Sequence, residues 1–541
     1  MLREYLPASP SVRLPAIVAS LLVLASELSA QQPADDMLVI MTGSDTIAVE
    51  RVRRTPNRLD GELLLKQQKV RISYAAKLVG VGRVISLDNE FRRGDADLSS
   101  KPLQTVSFMF LGDSAIAEIK AGDAPVQNQR IKTEAGAFPY TNPSFALLEP
   151  AIATALASGK DSTSLPVFYV QGGRTLPMAV VMQGPDSVKL TFAPGQDAYL
   201  KIRKDGAILR GGVPSQKLTV TRERATGAAL FVPPPDYSAP ADAPYTATNV
   251  TIPTPMGHTL AGTLTVPKGK GPFPAIVTIT GSGAQDRDEE ISLVKGFRPF
   301  RQVADSLGRE GIAVLRMDDR GFGGSGGNVM TATSRDFADD IEAGLAWLRT
   351  RPEIDGKRLG LVGHSEGGLI APIVASEDPT LKGIVLLAGP SQTGQEILEF
   401  QNRYAIEHNP QIKPEARDSA FKVAQRGIDS ATKASPWLGF FAKHNPRETA
   451  AKVKVPALIL QGATDQQVTA VQAEDLAKAF RSGGNKDVTV KVFPNANHLF
   501  IEDPVGNPAG YTSLTSNRIR DDVMVTLVGW LKQKLLVVPA T

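Results

Sequence analysis

The chain has no cysteine in 541 residues. Thiolate nucleophiles, disulfides, cysteine-ligated zinc, iron–sulfur clusters and the lipidated cysteine of a lipoprotein are thereby excluded together. Histidine is almost as sparse. The five, His258, His364, His408, His444 and His498, never fall at the i, i+4 spacing of a helical metal site, so neither a metal nor any other cofactor is expected. Charge of one sign is lacking too. The 60 Lys and Arg against 56 Asp and Glu leave a formal +4, spread without a dense basic run, which excludes nucleic acid as a partner. Beyond residue 30 no apolar stretch approaches the roughly 20 residues that span a bilayer. What remains is an ordinary globular composition, 42% hydrophobic and 21% charged, long enough for two or more cores. Nothing in it fixes an oligomeric state.

Residues 1–30 read as a secretory signal peptide. Arg3 and Arg13 precede the apolar run Leu14 to Ala25, small residues continue to Ala30, and the polar Gln31, Gln32 and Pro33 follow. Pro15 and Glu27 depart from the ideal layout. A run of about a dozen apolar residues is short for a retained anchor. The mature chain is therefore expected to be periplasmic or secreted, without stable membrane insertion.

From about Met37 to Val220, short apolar strands such as Val70 to Ser73, Thr105 to Phe110 and Val188 to Phe192 alternate with Gly, Asp and Asn turns, as in an antiparallel sandwich or open barrel. One helix-like insert, Pro143 to Leu156, interrupts them. We expect a β-rich antiparallel domain over 35–231, without repeats and without a histidine. Pro233, Pro234, Pro235, Pro240 and Pro244 mark a linker over 232–245, because clustered prolines serve neither a sheet interior nor a helix.

Past the linker the period changes. Ala275 to Thr280, Ile312 to Met317, Leu359 to Val362, Ile384 to Leu387, Ala457 to Leu460 and Val488 to Val492 are apolar runs separated by amphipathic stretches. Between Asp336 and Arg349, for example, Phe337, Ile341, Leu345 and Leu348 fall on one helix face. This is the α/β class, a mainly parallel sheet wrapped by helices, over 246–537. The gap 390–453 is too long for a connection and reads as a helical lid carrying Leu398, Phe400, Trp437, Phe440 and Phe441.

Chemistry concentrates around Gly363-His364-Ser365-Glu366-Gly367. The pattern G-x-S-x-G lifts a serine hydroxyl above a sheet on a sharp strand-to-helix turn, and its glycines let backbones pass closely. It also arises by chance roughly 0.3 times in a glycine-rich chain of this length, and Gly323-Gly324-Ser325-Gly326-Gly327 matches it too. Context favours Ser365, which follows an apolar strand and precedes a helix-like segment. A serine needs a base and a group to orient it, in the chain order Ser, acid, His. His408 and His444 fall within the lid, leaving His498. Asp465, a short turn beyond Ala457 to Leu460, is the acid. Donors for a developing oxyanion are expected from the N–H of Glu366 and from Ser282 or Gly283, in the glycine-rich turn after an early strand.

With Gly281-Ser282-Gly283-Ala284-Gln285-Asp286-Arg287-Asp288, Asp318-Asp319-Arg320-Gly321 and Gly363 to Gly368 in place, the chain from about Thr246 to Leu535 resembles bacterial α/β-hydrolase carboxylesterases. The resemblance implies metal-free ester hydrolysis through an acyl-enzyme, with a helical lid before the acid, and a small-molecule ester as partner. Arg287, Asp288, Trp437 and Phe440 are the candidate substrate-binding residues, while Asp319 and Arg320 read as braces of a turn. A serine peptidase on the same scaffold, or a binding protein that keeps it, are the alternatives. Glu366, Asp286 or Asp288 would then be candidates to take a peptide amino terminus.

Overall fold

The computed structural model describes residues 36–66, 68–122, 125–193, 195–224 and 235–536. The expected signal peptide and the first part of the expected linker, 232–234, lie outside them. Fifteen strands, β1 (Asp36–Thr42) to β15 (Leu218–Arg224), form one sheet. Neighbouring strands follow chain order, with β1 paired to β15, so its ends are β8 (Gln127–Lys132) and β9 (Phe138–Tyr140). Pairing is antiparallel except that β9 runs parallel to β10 (Ser162–Tyr169). This is a single curled sheet where two packed sheets were one of the expected forms.

The sheet curls because it wraps a helix. Helix α1 (Glu149–Ala157) and the turn before it bury Leu147, Leu148, Ala151, Ile152 and Ala155 among side chains from strands far apart in the sheet, such as Leu59 and Leu190. Two buried carboxylates hold α1 there. Glu50 accepts Tyr74 Oη at 2.6 Å and the N–H groups of Phe145 and Ala146 at 3.0 and 3.1 Å, together with the Ser144 hydroxyl. Those N–H groups open the helical segment and have no carbonyl a turn earlier to bond. Glu149 accepts Ile208 N at 2.9 Å and pairs with Arg222.

The second sheet has eight strands: β16 (Tyr245–Pro253), β17 (Thr259–Pro267), β18 (Phe273–Ile279), β19 (Ala313–Met317), β20 (Ile354–His364), β21 (Gly383–Leu387), β22 (Ala457–Gly462) and β23 (Val488–Phe493). Their order is β16-β17-β19-β18-β20-β21-β22-β23. Strand β17 is antiparallel to both of its neighbours, β16 and β19, and β18 to β23 are parallel. The six expected strands are present, and the hairpin β16–β17 precedes them. Ala275, Val277 and Ile279 face a core with α3 (Ser334–Arg349), α4 (Glu366–Glu377) and α9 (Val471–Ser482). Ile276 faces the opposite core, with α2 (Pro299–Arg309) and α10 (Asp521–Leu535). Because both faces are covered, these strands read as unbroken apolar runs. Between β21 and β22 the chain makes α5 (Gly394–Glu407), α6 (Arg417–Ala434), α7 (Pro436–Lys443) and α8 (Pro446–Ala450).

The halves touch. Lys69, in the turn between β3 (Arg58–Leu65) and β4 (Val70–Val79), reaches Glu290 at 2.7 Å and Asp286 at 3.2 Å. Residues 235–244 have no regular structure and lie on the second half, where Tyr237 stacks 4.2 Å from the Arg287 guanidinium.

Candidate active site

Ser365 stands alone between β20 and α4 with φ 53° and ψ −116°. A side chain is strained there, and the turn survives because its neighbours are glycines. A Cβ on Gly363 would sit 2.1 Å from the Gly367 oxygen, and one on Gly367 would sit 2.1 Å from the Ile279 oxygen. The turn is thereby wedged onto the end of β18. Ser325 sits differently: its hydroxyl donates to Asp318 O at 2.7 Å and accepts Ala261 N at 2.9 Å, which spends it on pinning a loop.

His498 lies in the loop after β23, with Nδ1 2.8 Å from Asp465 Oδ2. The Asp465 carboxylate also accepts Gln461 Nε2 at 2.8 Å, Gln467 N at 2.7 Å and Val468 N at 2.9 Å. With His498 Nδ1 these donors surround the carboxylate, which is thereby held in place against the imidazole. Ser365 and His498 line one cavity of about 360 Å³. No hydrogen bond joins the Ser365 hydroxyl to His498.

Ser282 lines the same cavity. Glu366 opens α4, so its N–H has no carbonyl one turn earlier to bond. Gly283 lines a separate void of about 20 Å³ next to Asp319, which leaves Ser282 as the member of that pair beside Ser365. Asp319 holds the turn at both ends, accepting Thr280 Oγ1 and Gln285 N, each at 2.8 Å. The Glu366 carboxylate is buried between Ser334 Oγ at 2.6 Å and Trp437 Nε1 at 2.9 Å. Burial raises its pKa above the ordinary carboxylate value, against the lowering pull of the Ser334, Trp437 and Ser282 hydrogen bonds.

Comparison with known proteins falls on the same region. Residues 257–501 match the family described as X-Pro dipeptidyl-peptidase (S15 family). Esterase EstD of Thermotoga maritima is 30% identical over 250 residues, 45% of this chain and 58% of that protein. Dipeptidyl aminopeptidase BIII of Pseudoxanthomonas mexicana is 26% identical over 247 residues, 45% of this chain and 32% of that protein. The chain thus spans between a third and somewhat over half of the length of these curated relatives. Among solved structures, an esterase of Pyrococcus furiosus aligns at TM-score 0.40 and 21% identity, over 56% of this chain and 98% of that one.

The second half of the chain has the sheet order and the nucleophile turn of the α/β-hydrolase fold.

Two of the expected substrate-binding residues lie in buried ion pairs away from the cavity. Arg287, 5% exposed, lies under its loop with Nε and Nη2 on the Asp318 carboxylate at 2.9 and 2.8 Å and Nη1 on the Gly262 oxygen at 2.6 Å. Asp288, 0% exposed, pairs with Arg316. Neither lines the Ser365 cavity. A charge that deep is tolerated only when paired, and these pairs stiffen the loop. Arg320 likewise braces, on Asp340 at 2.7 Å. Trp437 lines the cavity, but Phe440 stacks on His444 instead. Phe441, one residue on, takes the place expected of Phe440; it stacks 5.7 Å from Trp437 and fits where Gly394 has no side chain.

Sequence reasoning missed the pairing of His364 with Glu289. His364 Nδ1 lies 2.8 Å from Glu289 Oε1, and Nε2 lies 3.0 Å from the His498 backbone oxygen. Adjacency to Ser365 was the one available signal for His364. Its partner is 75 residues away, and no local pattern reveals that. Among the described residues, no group of three His, Asp or Glu side chains is placed to hold a metal ion.

Proposed function

We propose that this hydrolase cleaves esters with small or medium acyl groups through an acyl-enzyme on Ser365. His498 Nε2 takes the hydroxyl proton as the oxygen attacks the ester carbonyl, and returns it to the departing alcohol. Asp465 holds the tautomer and offsets the imidazolium charge. The N–H groups of Ser282 and Glu366 receive the oxyanion. Water then cleaves the acyl-enzyme with the same histidine as base. The helices α5 and α7 act as a lid, and the expected signal sequence makes the protein periplasmic or secreted.

The observation that carries this reading is the cavity itself. At about 360 Å³ it stands at the small end of ligand pockets, which run roughly 300 to 1,000 Å³. Ile397, Leu398, Trp437 and Phe441 give it an apolar roof. Its two carboxylates, Glu289 and Glu366, are already engaged by His364 and by Ser334 and Trp437. A peptidase reading has one observation in its favour: Glu366 still stands beside the nucleophile, where an α-ammonium group would meet it.

The test is a panel of p-nitrophenyl acetate, butyrate and palmitate with aminoacyl p-nitroanilides. Highest kcat/KM is expected on acetate or butyrate. A maximum on the anilides would establish a peptidase, and a maximum on palmitate a lipase.

A further inference from the structure

Both ring nitrogens of His364 face acceptors. The His498 oxygen is a backbone carbonyl and can only accept, so Nε2 carries a proton. Glu289 Oε1, opposite Nδ1, is itself receiving the Gly281 N–H at 2.8 Å. A neutral His364 with its proton on Nε2 would turn a bare Nδ1 lone pair toward an ionised carboxylate. The two residues are 6% and 0% exposed, so that repulsion would be poorly screened.

We propose that His364 and Glu289 form a buried imidazolium–carboxylate pair that positions the reacting groups, by tying the turn that carries Ser282 to the loop that carries His498. The proposal rests on the roles given above to Ser365 and His498. Three segments meet at the pair. Gly281, bonded to Glu289, precedes Ser282, and a Cβ on it would stand 3.3 Å from that of Ser365. His364 precedes Ser365 on β20. The His498 carbonyl anchors the base loop from below, while Asp465 anchors the ring from the side. Neither His364 nor Glu289 touches substrate in this scheme; they are positioning residues.

Loss of the shared proton breaks one of these ties. The titratable groups facing His364 are Glu289, Asp465 and His498. Burial pulls the His364 pKa down, but the Glu289 charge, its hydrogen bond and the His498 carbonyl outweigh it, leaving it above the ordinary histidine value. The pair's contribution is therefore intact below the ordinary histidine pKa and is lost as pH rises through the higher folded value. The expected signature is an alkaline limb in kcat, with KM nearly constant.

Two measurements test this. In the wild-type protein, ¹⁵N spectra of the histidine rings at pH 7.5 should show one of the five histidines with both nitrogens protonated. In Glu289→Gln the amide oxygen still accepts, but the carboxylate charge is gone, so the alkaline limb should move down by about one unit. Rates at pH 9 should then fall roughly tenfold relative to wild type, while rates at pH 6 stay within about threefold. Fluorophosphonate labelling of Ser365 at pH 6 in both proteins checks the underlying hydrolase roles separately. A merely structural pair would lower Tm and leave the limb in place. An unmoved limb in a folded Glu289→Gln, or five wild-type histidines each with one bare nitrogen, would overturn the proposal. The spectrum decides the matter even where the variant does not fold.

Discussion

Glu50 in the first sheet and Glu289 in the second half are both fully buried carboxylates, yet they are provided for differently. Glu50 has four donors, shared between its two oxygens: the Tyr74 and Ser144 hydroxyls and two backbone N–H groups. None of these changes protonation in the ordinary range. Glu289 takes both of its hydrogen bonds on Oε1, one from a titratable ring, and leaves Oε2 without a partner. A buried polar atom without a partner is costly. The difference separates a group that only holds a helix from one that joins moving chemistry: saturation gives rigidity, and a titratable partner gives dependence on pH.

On the proposed reading the activity belongs to the second half, and the largest effect should follow from Ser365→Ala. Hydrolysis should fall by roughly 10⁶, the cost of removing the nucleophile from a comparable triad, and fluorophosphonate labelling should vanish with little change in Tm. Ser325→Ala should do the reverse, losing two hydrogen bonds at about 1 kcal/mol each while still labelling. If the Ser325 variant were the inactive one, and both variants folded, the placement of the chemistry would be wrong.

Legibility from sequence divided along the same line. The parallel strands were readable because burial on both faces leaves continuous apolar runs, and the elbow because a strained φ at Ser365 demands glycines at fixed offsets. Asp465 and His498 were readable from their order and their place after strands. The hairpin β16–β17 was not singled out: its strands, such as Thr246-Ala247-Thr248-Asn249-Val250, mix exposed polar residues into a weak alternation. Arg287 and Asp288 were expected at the substrate because charge in a loop beside a site suggests a ligand. Only three dimensions reveal Asp318 and Arg316, carried on or just after β19, as their partners. The wrapping of the first sheet around α1 likewise depends on Glu50 meeting Phe145 N across 95 residues.

A middle-sized effect is expected from Glu149, the other carboxylate at α1. Burial raises its pKa to about 7, against the lowering pull of Arg222, Ile208 N and Arg54. The folded protein thus holds this proton more tightly than the unfolded chain does. The resulting stability is fully present below the ordinary value near 4.5 and is lost as pH rises through about 7, a change on the order of 3 kcal/mol. In Glu149→Gln, the fall in Tm between pH 5 and pH 8 should shrink, with kcat per folded molecule unchanged. An identical pH slope in the variant would remove Glu149 from the account, and a lower kcat would breach the division between the halves.

The smallest effect tests whether that division is complete, because Lys69 crosses it. Its ammonium sits on Glu290 and Asp286, at the far end of the segment whose near end carries Ser282. Burial pulls the Lys69 pKa down, but the two carboxylates outweigh it and hold it above its ordinary value, so the ion pairs persist across the working pH range. Glu290 and Asp286 flank the stretch that contains Glu289, so a tug on either is transmitted along a short and well-bonded backbone. The side chain is 26% exposed, and a pair of that kind is worth about 0.5–1.5 kcal/mol. In Lys69→Met, Tm should fall slightly and kcat about two- to fivefold, with KM held, since loosening the turn misplaces an oxyanion donor without altering the cavity. A fall in Tm with kcat unchanged would mean that the first half steadies the hydrolase without reaching its chemistry. A change confined to KM would instead put Lys69 on the path of the substrate.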